Sequence, residues 1–140
     1  MDPERKTTNP KSKKPTVFIV EDDPFVLRVY QRKLSLEGFE ISLATNGEEA
    51  LRRISLAIPD LILLDLVMPQ KDGFELIADL KDDPKLKTIP IVVLTNLRQE
   101  SDKQRAQSFG VDAYIVKSET SINDVVTKIK EVIASAKKNE

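Results

Sequence analysis

Cysteine, histidine and tryptophan are all missing from this 140-residue chain. Without cysteine there are no disulfides, thiolate nucleophiles, cysteine-based zinc sites or iron–sulfur clusters, a usage that fits a cytoplasmic setting. Without histidine there is no Ser-His triad, imidazole general base or imidazole metal ligand. Polar chemistry must therefore come from Asp, Glu, Lys, Ser and Thr. Glycine is scarce, and the four present, at 38, 47, 73 and 110, form neither a GxGxxG fingerprint nor a P-loop. Apolar runs are short: LILL at 61–64 and IVVL at 91–94 fall far below the roughly 20 residues of a membrane span. The opening residues hold charges and prolines, so no secretory leader is expected. Nor is there an excess of one charge. Lys plus Arg (22) nearly balances Asp plus Glu (23), which gives no general attraction to nucleic acid or to an anionic membrane.

What is present is the balance of a folded domain, with 40% hydrophobic and 32% charged residues. The length allows one domain of ordinary size. Residues 1–15 (MDPERKTTNPKSKKP) hold three prolines, five Lys/Arg and two acids and little that can be buried, so they read as a flexible basic tail. The domain is expected over 16–136, with 137–140 as a C-terminal tail.

From Thr16 onward, short β-rich runs alternate with longer stretches of helical spacing. The runs are TVFIV (16–20), FEISLA (39–44), DLILLD (60–65), PIVVLT (90–95) and DAYIVK (112–117). Helices are predicted at roughly 24–37, 47–57, 73–82, 99–109 and 121–137. Their starts carry capping signals: Asp23 before Pro24, Asn46 before Gly47-Glu48-Glu49, and Ser121 three residues before Asp124. Gly38 and Gly110 fall just past helix ends, where a left-handed residue is wanted. Five strand–helix repeats imply an α/β fold, a doubly wound five-stranded parallel sheet with helices on both faces, because parallel neighbours cannot be joined by hairpins. All the strands then end at one edge, where open sheets of this kind bind ligands.

That edge collects a distinctive set. Glu21, Asp22 and Asp23 follow the first strand, Asp65 ends the third, Thr95 the fourth and Lys117 the fifth. Clustered carboxylates repel one another and suggest a hard, oxygen-preferring divalent cation, for which Mg2+ is the natural candidate. Asp23 also reads as a helix cap, and Glu21 and Asp22 as a solvated loop, so the ligand set stays open on spacing alone. The chemistry that remains is carboxylate chemistry on phosphate, with Asp65 as nucleophile and Thr95 and Lys117 as donors to the phosphoryl oxygens.

With these residues in place, residues 16–136 resemble a receiver domain of the two-component response regulators, of the chemotaxis-regulator-like kind. The matching segments are FIVEDDP (18–24), LILLDLVMPQKDG (61–73), VVLTN (92–96) and AYIVK (113–117). The resemblance implies the flavodoxin-like strand order 2-1-3-4-5. It implies that Asp65 is the phosphoacceptor, supplied by a histidine kinase or a histidine phosphotransfer protein. It places the acidic pair on Glu21 and Asp22, with Asp65 and the carbonyl of Val67 completing the protein ligands of Mg2+. Thr95 and Tyr114 take the switch positions, and Lys117 pairs with the phosphoryl group. Phosphorylation would then switch the surface of the fourth helix, fifth strand and fifth helix, roughly Arg98 to Lys130, for a downstream target protein or a phosphorylation-dependent homodimer. A stand-alone receiver is expected, without direct nucleic-acid or membrane binding.

Two positions depart from the family pattern. Asn96 stands where a very small residue is usual, and Ser118 stands where proline is usual, which leaves the loop before the last helix undetermined. Val67 and Leu97 are apolar where relatives often place polar side chains that orient water, so self-dephosphorylation is expected to be slow. Two other functions fit part of this pattern. A small phosphatase of the haloacid dehalogenase type usually carries a second Asp two residues after its nucleophile, where this chain has Val67. A degenerate receiver that acts only as a binding module is the other, and the intact acids, Thr95 and Lys117 argue against it.

Overall fold

In the computed structural model, which describes residues 14–138, parallel strands alternate with helices along the chain. The strands are β1 (Thr16–Val20), β2 (Glu40–Ala44), β3 (Leu61–Leu64), β4 (Ile91–Thr95) and β5 (Ala113–Val116). The helices are α1 (Pro24–Leu36), α2 (Gly47–Leu56), α3 (Gly73–Asp82), α4 (Glu100–Ser108) and α5 (Ile122–Lys138). The strands form one sheet in the order β2-β1-β3-β4-β5, every neighbouring pair parallel, as expected for the doubly wound arrangement.

The period-2 side-chain alternation of buried strands sorts the core into two layers. Val17, Ile19, Leu61, Leu63, Val92 and Leu94 pack with Leu34 of α1 and Val125, Ile129 and Ile133 of α5. Their sequence neighbours Phe18, Val20, Ile62, Leu64, Ile91 and Val93 pack on the other face with Ile54 of α2, Ile77 and Leu80 of α3 and Ala106 of α4. Covered on both faces, β3 and β4 are buried throughout, whereas the edge strands β2 and β5 are only partly so.

The helix starts follow their capping residues. Asp23 accepts from the N–H groups of Phe25 and Val26, Asn46 from Glu49, and Ser121 from Asp124. A further capping box joins Asp72 and Glu75 at the start of α3. Gly38 and Gly110 adopt φ of 97° and 84° just past α1 and α4, the left-handed conformation that glycine takes without a Cβ clash.

Several boundaries differ by a residue. β3 stops at Leu64, so Asp65 is the first residue beyond the strand, and β5 stops at Val116, so Lys117 opens a short 3-10 turn over Lys117–Glu119. Residues 1–13 of the basic segment lie outside the described residues. α5 runs through Lys137 and Lys138, into the stretch assigned to a C-terminal tail, and 139–140 are again outside. Among the described residues no helix is long and apolar enough to cross a membrane.

Candidate functional site

The sheet register assembles the site. Val20 pairs with Leu64, and beyond that rung Asp65 N–H donates to the Val20 carbonyl at 3.0 Å while Glu21 N–H donates to the Ala44 carbonyl at 3.1 Å. Glu21 and Asp65 therefore leave the sheet side by side. At the other end of the row Thr95 pairs with Val116, which sets Lys117 one residue beyond.

Lys117 reaches across to both acids. Its Nζ stands 2.6 Å from Glu21 Oε1 and 3.1 Å from Asp65 Oδ2. Glu21 and Asp65 are buried and Asp22 is exposed, and one carboxylate oxygen from each of the three lies within 4.8 Å of the others. One ammonium among these three carboxylates leaves two negative charges uncompensated. That is the charge of one divalent cation, and the all-oxygen donor set suits a hard one. The cluster is able to bind a metal ion.

Asp23, left open as a ligand, takes no part in the cluster. Its carboxylate caps α1, and its own N–H donates to Glu21 Oε2 at 3.1 Å. Burial pushes the Glu21 carboxyl above its ordinary range, against the opposing hydrogen bonds from Lys117 and the Asp23 N–H, and the neighbouring Asp65 charge adds to the rise. Burial acts to lower the Lys117 ammonium, but the Glu21 hydrogen bond and the Asp65 charge outweigh it and hold the group above its usual value. The lysine is thus held charged between two acids.

The other expected residues gather at the same edge. Thr95 is fully buried, and its Oγ1 accepts weakly from the Leu97 N–H at 3.4 Å. Val67 lies on the rim with 56% of its surface exposed, its N–H 3.3 Å from Asp65 Oδ1. Tyr114 is half-buried and donates its hydroxyl to the Leu97 carbonyl at 2.8 Å, which ties β5 to the loop after β4. Burial, then the charges of Asp102 and Asp65, raise its phenol pKa. An open cleft of about 390 Å³ runs over Asp22, Asp65, Val67, Asn96 and Lys117.

Three features were not read from the sequence. Tyr30 on α1 is buried beneath the acids, its phenol pKa raised by burial and sensitive to the charges of Lys117 and Glu21. Gly73 lies against the backbone that follows Asp65: a Cβ there would meet Leu66 Cα at 2.5 Å and the Asp65 carbonyl oxygen at 2.6 Å. Asn96 Oδ1 accepts from the Ser118 N–H at 3.1 Å, so the two departures from the family pattern touch each other.

Comparison with known proteins identifies the family. A family model described as the response regulator receiver domain matches residues 17–130. The chain is 32% identical over 123 residues to the phosphate regulon transcriptional regulatory protein PhoB of Rhizobium meliloti, a match that covers 88% of this chain and 54% of that one. It is similar in structure to the signal receiver domain of a signal transduction histidine kinase from Syntrophus aciditrophicus, with a TM-score of 0.82 and 34% identity over 90% of this chain and 95% of that one. It is also similar to the Mn(2+)-bound form of response regulator Rcp1, with a TM-score of 0.71 and 30% identity over 87% and 88% of the two chains. The chain spans about half the length of several curated relatives it matches.

Proposed function

Because the chain belongs to the response regulator receiver domain family, whose members are phosphoacceptor switches, we propose that Asp65 is its phosphoacceptor. The donor is the phosphohistidine of a histidine kinase or of a histidine phosphotransfer protein. The observation that carries this reading is the bridging of Glu21 and Asp65 by the Lys117 ammonium at the sheet edge.

In the reaction an Asp65 carboxylate oxygen attacks phosphorus in line, the P–N bond to the donor imidazole breaks, and its electron pair stays on the departing nitrogen. Lys117 turns from the Asp65 carboxylate to a phosphoryl oxygen, so the positive charge is already in place when negative charge arrives. Thr95 donates its hydroxyl to a second oxygen. Glu21, Asp22, Asp65 and the Val67 carbonyl would hold Mg2+, which when bound neutralises charge on the transferring group. That the similar response regulator Rcp1 is known in an Mn(2+)-bound form supports a divalent ion in this reading.

Drawing the Thr95 hydroxyl toward the phosphoryl group disturbs the bond it accepts from Leu97, the residue whose carbonyl holds Tyr114. That link runs from the acceptor to the face formed by α4, β5 and α5. α4 is the element suited to respond: Ala106 is its one buried residue, and its N-terminus has no side-chain cap. Output in this reading is a change in the affinity of that face for a target protein, or in its self-association. With apolar Val67 exposed on the rim and Leu97 packed toward the core, no side chain at either position orients water, and loss of the phosphoryl group is slow.

Intact mass after incubation with Mg2+ and acetyl phosphate, beside Asp65→Asn, tests the proposal. A gain of one phosphoryl group in the parent and none in the variant is expected. No gain in the parent would favour a phosphate-independent binding module, and steady turnover of a phosphate ester would favour the phosphatase.

A further inference from the structure

Three consecutive residues of the β4–α4 loop are tied to β5 and the turn that follows it. Asn96 accepts from the Ser118 N–H at 3.1 Å, the Leu97 carbonyl accepts from Tyr114 at 2.8 Å, and Arg98 pairs with Glu119 at 3.0 Å. The first tie also sets the amide of Asn96. A backbone N–H only donates, so the Asn96 oxygen faces Ser118 and the NH2 group remains as the free end of the side chain. Among the described residues that NH2 donates to no protein group, while Asn96 lines the cleft with Asp22, Asp65 and Lys117. Asn96 is exposed, so in this state its NH2 is solvated, and a phosphoryl group on Asp65 would bring anionic oxygens into the cleft that it lines.

Resting on the phosphoacceptor reading above, we infer that Asn96 is a further phosphoryl-binding residue whose NH2 donates to a phosphoryl oxygen on Asp65. Ser118 is the positioning residue that orients it. The two departures from the family pattern are then one device. Proline at 118 has no N–H and would leave the Asn96 amide unheld, and a very small residue at 96 would leave the Ser118 N–H without this acceptor.

The test is the affinity for beryllofluoride, a non-covalent mimic of the phosphoryl group on Asp65, titrated calorimetrically in Mg2+ with melting temperatures measured alongside. Asn96→Ala is expected to weaken binding about five- to tenfold, the size of one hydrogen bond to a partly solvated anion. Asn96→Leu fills the same space without a donor and should weaken it equally. Ser118→Pro should match them, and the Asn96→Ala/Ser118→Pro double variant should be no weaker than either single. The conservative Ser118→Ala, which has the N–H, should restore the affinity that Ser118→Pro loses. Parental affinity in Asn96→Leu would make the side chain a steric cover and overturn the inference. So would lowered melting temperatures with parental affinity in Asn96→Ala and Asn96→Leu, a comparison that holds even where Ser118→Pro fails to fold. A parent that neither binds beryllofluoride nor gains phosphoryl mass would bring down the phosphoacceptor reading itself. A parent that does both, with all variants alike, would overturn this inference alone.

Discussion

The ammonium of Lys117 stands 2.6 Å from Oε1 of Glu21, a residue 96 positions earlier in the chain, and only secondarily, at 3.1 Å, from Asp65. The lysine therefore rests chiefly on the acid that the receiver pattern assigns to metal binding. It compensates a carboxylate that is only 4% exposed. Under the phosphoacceptor reading proposed above, charge compensation before phosphoryl transfer and charge delivery during it would fall to one side chain.

Replacing this lysine by the near-isosteric methionine separates the two effects. Lys117→Met leaves Glu21 buried beside Asp65 without its cation, and the fold should lose about 1–3 kcal/mol at neutral pH, the cost of an unpaired buried polar group. The same variant should bind Mg2+ about tenfold more tightly, because a competing positive charge has gone. Urea unfolding and a calorimetric Mg2+ titration check the two halves. Unchanged Mg2+ affinity would mean that Lys117 and the ion do not share these carboxylates.

A divalent ion that binds only the folded cluster should raise the melting temperature by mass action. At 100 times its Kd the gain is about 2.7 kcal/mol. Asp22 is exposed, so Asp22→Asn should leave metal-free stability nearly unchanged and remove most of the Mg2+-dependent rise. Thermal melts with and without chelator decide it, and a full rise in the variant would take Asp22 out of the ligand set.

Gly73→Ala places a methyl group 2.5 Å from Leu66 Cα and 2.6 Å from the Asp65 carbonyl oxygen, both backbone atoms that cannot swing aside. Overpacking of this kind costs roughly 1–3 kcal/mol, and here it also displaces the segment that carries Asp65. Denaturant unfolding should show the loss, and phosphoryl gain from acetyl phosphate should slow. Parental values in both would mean that α3 shifts to make room.

At the far end of α1, Glu37 receives Lys130 of α5 at 2.7 Å and Lys33 at 3.3 Å. Hydrogen bonds from Lys130 and then Lys33 hold its carboxyl below the usual carboxylate range. Because the folded value is the lower one, the stabilisation is present above the ordinary glutamate range and is lost as pH falls through the folded value. The parent should therefore melt above Glu37→Gln at pH 7, with the gap closing in acid and shrinking in high salt, as for other surface pairs. A gap that persists at pH 2 would point to packing by the Glu37 stem.

Much of the molecule was legible beforehand because its signals are local. LILL and IVVL mark strands covered on both faces, Asp23-Pro24 and Asn46 mark helix starts, and Gly38 and Gly110 mark helix ends; each follows from side-chain period or backbone conformation over a few residues. The strand ends were placed within a residue, so Asp65 and Lys117 belong to the turns that follow their strands. The Asp72–Glu75 capping box was equally local and went unread. The role of Tyr30 had no local signal at all, since a buried aromatic on α1 reads the same whether or not acids lie above it.

Residue type and spacing alone are enough for the α/β alternation, for the edge at which the polar residues collect, and for excluding thiol, imidazole and P-loop chemistry from these residues. Spacing alone leaves the ligand set open and the receiver resemblance implies Glu21 and Asp22; what the folded chain adds is that Lys117 rests first on Glu21 and that Asn96 accepts from the Ser118 N–H. These two contacts join residues 96 and 22 positions apart in the chain. Hydrogen bonds and Coulomb forces act over a few ångströms of space, and distance along the chain carries no record of which side chains the register brings that close.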